Sequence, residues 1–116
     1  MVRRLAGAIT LARHGQPALS RELCLSASEY RDWWACYESG GLLADQSPPE
    51  DLITLARGGA VVVTSTRIRA VESAALLTDD GPFTSDDLYI EAPLPPQPWP
   101  EWIRLGPRLW GFFARF

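Results

Sequence analysis

Three short segments of this 116-residue chain hold side chains suited to chemistry on an anion. Arg13-His14-Gly15 sets an imidazole beside a guanidinium, with a glycine that lets the backbone approach a ligand closely. His14 is the only histidine, so any imidazole chemistry passes through it. The segment Ser65-Thr66-Arg67-Ile68-Arg69-Ala70-Val71-Glu72-Ser73-Ala74 opens a helix. Its free N–H groups and positive dipole end favour an anion, and an arginine in the first turns adds a bidentate contact. Taken alone, a helix with two arginines more often presents a solvated face. Glu91 follows a third apolar segment, and a lone glutamate carries no assignment. All positive side-chain charge comes from arginine, the better fork for phosphate or carboxylate.

Strands and helices must place these groups. Ala8 to Ala12 is a short apolar run between Gly7 and Arg13, which predicts a first strand buried on both faces. Ser26-Ala27-Ser28-Glu29 has capping-box spacing and opens a helix with Tyr30, Trp33, Trp34 and Tyr37 at three- and four-residue steps, stopped by Gly40-Gly41. Ser47-Pro48-Pro49-Glu50 repeats the cap signature for a shorter helix that ends at Gly58-Gly59. Ala60-Val61-Val62-Val63-Thr64 is β-branched and continuous, as a strand covered on both faces should be. Ser65 then caps a helix from about Thr66 to Leu77, with Ile68, Val71, Ala74, Ala75 and Leu77 inward, terminated by Asp79-Asp80-Gly81-Pro82. Leu88-Tyr89-Ile90 reads as a third strand before a proline-rich loop. Pro107 starts a last helix over Arg108 to Phe116, whose Leu109, Trp110, Phe112, Phe113 and Phe116 have no visible partner. This alternation predicts one α/β domain over residues 1–116, with a largely parallel sheet and function gathered at the strand C-termini.

Composition removes several alternatives. With a net charge of −3, a pI near 5.0 and no basic run, the chain lacks the electrostatic footprint of a nucleic-acid binder. Two cysteines and one histidine do not make the usual four-ligand zinc site, so no metal is expected. Cys24 and Cys36 read as reduced, partly buried small hydrophobes. The segment from Met1 to Ala12 reads as a strand rather than a signal peptide. No apolar run nears the roughly twenty residues that span a bilayer, so the default location is cytoplasmic. The aromatic and basic residues from Trp99 to Arg115 fit a core helix better than an interfacial membrane helix.

The chain resembles the histidine phosphatase superfamily, the phosphoglycerate mutase-like fold. The likeness runs through Leu11-Ala12-Arg13-His14-Gly15-Gln16-Pro17, through Val63-Thr64-Ser65-Thr66-Arg67-Ile68-Arg69-Ala70 with Ser73-Ala74, and through Ile90-Glu91-Ala92-Pro93-Leu94-Pro95. The resemblance implies a three-layer α/β/α fold and phosphomonoester hydrolysis without a cofactor. By that likeness His14 attacks and carries the phosphoryl group as phosphohistidine, and Arg13 and Arg69 clamp the phosphate oxygens. Gly15 and Gln16 shape the loop around them, and Glu91 protonates the leaving alcohol and then activates water. The implied partner is a phosphorylated small molecule or a phosphoprotein. The family also carries a second catalytic histidine on a late strand, which this chain lacks. The chain is therefore expected to be the N-terminal portion of such a domain, incomplete at its C-terminus and impaired in catalysis. The alternative is a catalytically dead phosphate- or phosphoprotein-binding module.

Overall fold

The computed structural model describes residues 7–116. Among these residues there are four helices: α1 (Ala27–Ser39), α2 (Glu50–Arg57), α3 (Ile68–Thr78) and α4 (Pro107–Ala114). Two short strands, β1 (Val63–Thr64) and β2 (Thr84–Ser85), pair in parallel, with Val63 opposite Thr84 and Thr64 opposite Ser85. The unit β1–α3–β2 is thus a pair of parallel strands joined through a helix, the connection that parallel pairing requires.

The helix ends follow local chemistry. Ser26 caps α1 by accepting from the Glu29 amide while the Glu29 side chain accepts from the Ser26 amide, a complete capping box, and Gly40 closes the other end. α2 begins two residues later than its sequence signature suggests. Pro49, extended at φ −60° and ψ 142°, is the N-cap, and Ser47 does not cap. Glu50 and Asp51 in the first turn and Arg57 in the last complement the helix dipole instead. α3 also starts late, at Ile68. Ser65 is not its N-cap, although its hydroxyl accepts from the Arg67 amide at 3.4 Å. Asp79 ends α3 in the left-handed conformation, at φ 52°. Pro107 sits in the first turn of α4, where its missing N–H costs nothing.

The strands depart furthest from expectation. Residues 8–12 do not form the buried first strand, and Ile9 and Leu11 are 90% and 93% exposed. Of the run 60–64 only Val63 and Thr64 pair, and Val61 is 88% exposed rather than covered on both faces. The third strand expected at Leu88-Tyr89-Ile90 is a 3₁₀ turn over Asp87–Tyr89, because the Asp86 side chain accepts from the Leu88 amide and curls the chain locally. Strand pairing occurs a few residues earlier, at β2. Inside α3, Ala74 is buried as expected, whereas Ile68 is about half exposed.

The main core is aromatic. Ala27, Tyr30, Trp33 and Tyr37 form one face of α1 and pack with Trp110 of α4, flanked by Leu19, Leu25, Trp34, Trp99 and Leu105. Trp110, expected to lack a partner, is fully buried, while Leu109, Phe112 and Phe116 remain exposed. An antiparallel bridge between Leu25 and Leu105 ties the α1 and α4 regions together. Both cysteines are free and exposed, not partly buried. The radius of gyration is 17.5 Å, against about 13 Å for a compact chain of this length, in keeping with the uncovered apolar segments. Among the described residues no helix is long and apolar enough to cross a membrane.

Candidate active site

The loop after residue 12 is held on two sides. Gln16 and Ala18 run antiparallel to Gly41–Leu43, with Ala18 N donating to Gly41 O at 3.0 Å and Leu43 N donating to Gln16 O at 2.8 Å. The Gln46 side chain accepts from Gln16 N and donates to the carbonyls of Gln16 and Leu43, each at 2.8 Å. On the other side Gly15 N donates to the Ser73 hydroxyl at 2.9 Å, and Ser73 donates to Arg69 O at 2.7 Å. A Cβ on Gly15 would lie 2.8 Å from Gln46 Oε1, so a larger residue here would push the Gln46 side chain from its place against the loop. The backbone amides expected to shape a phosphate loop are therefore already engaged within the chain.

His14 is fixed by two hydrogen bonds. Its Nδ1 lies 2.7 Å from the Gly15 carbonyl oxygen, which only accepts, so Nδ1 carries the proton. Nε2 is then an acceptor, and the Tyr37 hydroxyl donates to it at 3.1 Å. Tyr37 Oη in turn accepts from Arg21 Nη2 at 3.1 Å. Burial is the main force on the ring and pushes its pKa below the ordinary 6.5. The hydrogen bond to Gly15 O opposes this, the Arg69 and Arg13 charges add to the lowering, and Glu91 opposes it.

This makes a titration prediction. The folded pKa lies below the unfolded one, so the unfolded chain binds more proton in the interval between them. His14 thus subtracts stability progressively as pH falls below about 6.5, down to the folded value. Because the chain has one histidine, a single imidazole resonance in a proton NMR titration reads this without assignment. The expected midpoint is below 6.5, and a midpoint at or above 6.5 contradicts a buried neutral imidazole.

The arginine of the second segment is placed differently from the first. Arg69 is buried at 3% exposure, with Nη1 donating to Tyr37 O at 3.0 Å and Nη2 to Glu38 Oε1 at 3.0 Å. Its guanidinium lies 4.2 Å from the Tyr37 ring centroid. Glu38 also receives Arg67 at 2.6 Å, so one carboxylate joins both guanidinium groups of the segment. Glu91 is well exposed, with its carboxylate 3.9 Å from Arg69 Nη2.

A cleft of about 640 Å³ opens beside His14, lined by residues 13–22 with Leu43 and Arg108. Arg13, His14, Gly15 and Gln16 are thus brought together on it, whereas Arg69 and Glu91 do not line it. Among the described residues no three His, Cys, Asp or Glu side chains gather into a metal-ligand cluster.

Tyr37, Glu38, Ser73 and Gln46 hold the site together, and their roles do not stand out in sequence. Tyr37 reads as one more apolar position on α1. Glu38 carried a signal: an acid in the last turn of a helix opposes the dipole, and α1 has no basic residue there to offset it. Such a residue is placed for another partner. No protein-family model matches the chain, and no curated protein or solved structure matches it.

Proposed function

We propose that this chain is a histidine phosphatase-type domain that accepts a phosphoryl group from a phosphomonoester on Nε2 of His14 and passes it to water. The supporting observation is the state of the imidazole. Nδ1–H is committed to the Gly15 carbonyl, so the lone pair of a neutral ring is on Nε2, beside a cleft lined by Arg13. In the first step Nε2 bonds to phosphorus as the ester P–O bond breaks, and the leaving oxygen takes a proton from the Glu91 carboxyl. In the second, water attacks phosphorus, the P–N bond breaks and the Glu91 carboxylate takes the water proton. In this reading β1–α3–β2 is part of a three-layer α/β/α sheet of the phosphoglycerate mutase type, and the domain works in the cytoplasm. Neither Glu91 nor Arg69 lines the cleft, so both reach the substrate only if side chains rearrange on binding.

A second reading rests on that last geometry. Arg69 is occupied by Glu38 and Nε2 by Tyr37, an arrangement that suits a phosphate-binding module without turnover.

One labelling experiment separates them. Incubation with a radiolabelled phosphomonoester is expected to leave an acid-labile, alkali-stable label that His14→Ala removes. Persistence of the label in His14→Ala rejects His14 as nucleophile. Phosphate-dependent thermal stabilisation with no label in the unaltered chain favours the binding module.

A further inference from the structure

Nine arginines lie among the described residues, and carboxylates hold three of them. Arg67, Arg69 and Arg104 each pair with a carboxylate: Arg67 and Arg69 with Glu38, and Arg104 with Glu29. Six have no such partner among the described residues; Arg31, Arg57 and Arg115 do not line the cleft beside His14, whereas Arg13, Arg21 and Arg108 all do, and the one acidic residue among its described lining is Glu22. Like charges around one opening repel each other unless an anion joins them, and walls of low dielectric strengthen the attraction for that anion. Arg108 gives its helix nothing in return. It is the second residue of α4, the end where the dipole disfavours a cation.

Position divides the three. Arg13 adjoins His14 in the chain. Arg21 is two hydrogen bonds from Nε2, through Tyr37. Arg108 comes from α4, a separate element, to the same cleft. The cleft's volume of about 640 Å³ falls within the roughly 300–1,000 Å³ of sites that take whole organic ligands, so one phosphate leaves most of it empty.

We propose that this cleft takes a small organic phosphomonoester bearing a second anionic group, with its phosphate at Arg13 and His14 and its second anion between Arg21 and Arg108. The orientation rests on the phosphohistidine reading of His14, while the charge preference is read by binding alone.

The test measures equilibrium binding of three small phosphates to the full chain: ethyl phosphate, phosphoethanolamine and phosphoglycolate, whose second groups are neutral, cationic and anionic. Phosphoglycolate is expected to bind about tenfold or more tightly than ethyl phosphate, consistent with a charge-assisted contact, and phosphoethanolamine most weakly. Arg108→Ala is expected to erase the preference, and Arg108→Glu to turn it toward phosphoethanolamine. Equal binding of all three overturns this proposal and leaves the His14 reading intact. A preference for phosphoglycolate that survives in Arg108→Glu overturns the placement of the second anion. Binding of none of the three overturns both.

Discussion

Glu38→Ala is expected to lower stability by about 3 kcal/mol, near the lower end of the range for breaking a buried ion pair because water still reaches part of the carboxylate. The cost comes from what is left behind. Arg69 is 3% exposed, and without Glu38 its guanidinium keeps the Tyr37 carbonyl and ring but loses its nearest negative charge. Glu91, at 3.9 Å and mostly exposed, is a weak substitute. Arg67 loses its partner as well, from a more exposed position. Glu38→Gln keeps a hydrogen-bond acceptor without the charge and is expected to cost less than Glu38→Ala. Urea denaturation of the variants checks this through the midpoint at constant slope. A loss below about 1 kcal/mol for Glu38→Ala would mean that Arg69 is hydrated in solution.

Trp110→Ala is expected to cost about 3–5 kcal/mol, a large share of the 5–15 kcal/mol that holds a domain of ordinary stability. The indole is completely buried, stacks on Tyr30 at 5.8 Å and meets Trp99 at 5.6 Å. Its Nε1 donates to Leu25 O at 2.7 Å, beside the Leu25–Leu105 bridge that joins the α1 and α4 regions. Truncation therefore removes the contact surface and a hydrogen bond at the same point. Trp110→Phe keeps most of the apolar area. The Leu25 carbonyl still accepts from Leu105 N at 2.9 Å, so this variant is expected to lose clearly less. Thermal unfolding followed by near-ultraviolet circular dichroism checks both variants. Equal losses for Ala and Phe would make the hydrogen bond, rather than packing, the dominant contribution.

Helices were legible in this chain because their signals are local. Ser26 and Glu29 are three residues apart and satisfy each other, Gly40 and Asp79 stop helices at their own backbone angles, and Pro107 suits a first turn. Ser47 and Ser65 misled because a cap depends on where the helix actually begins, and Pro49 and Arg67 hold those places. Strands are a different case. A run such as Ala8 to Ala12 shows that a segment is apolar and extended, but not that neighbours pair with it or cover it. Here Ile9, Leu11 and Val61 stay exposed, and the pairing that does form lies at Thr84–Ser85, which has no strong strand signature. Leu88 has the look of a strand residue, but the nearby Asp86 carboxylate accepts from its amide and caps a 3₁₀ turn there.

The candidate site divides along the same line. Arg13, His14, Gly15 and Gln16 are consecutive and reach one cleft together, so a motif was enough to find them. Arg69 was recognisable as a residue of interest, but not as a buried one. Its surroundings come from Tyr37 and Glu38 on α1, some thirty residues earlier in the chain. Nothing local to Arg69 foretells that a carboxylate from another helix already occupies it.

Tyr37 gives the core a consequence of its own. Trp110, Tyr30, Trp33 and Tyr37 form a stacked column with neighbouring ring centroids 5.8, 5.8 and 5.2 Å apart, and the hydroxyl on His14 belongs to the last ring. Aromatic rings do not shorten or bend, so the column works as a ruler laid from α4 along α1 to the imidazole. The location of that hydroxyl is measured from Trp110, and the mechanical tolerance of the imidazole on this side is the tolerance of the core.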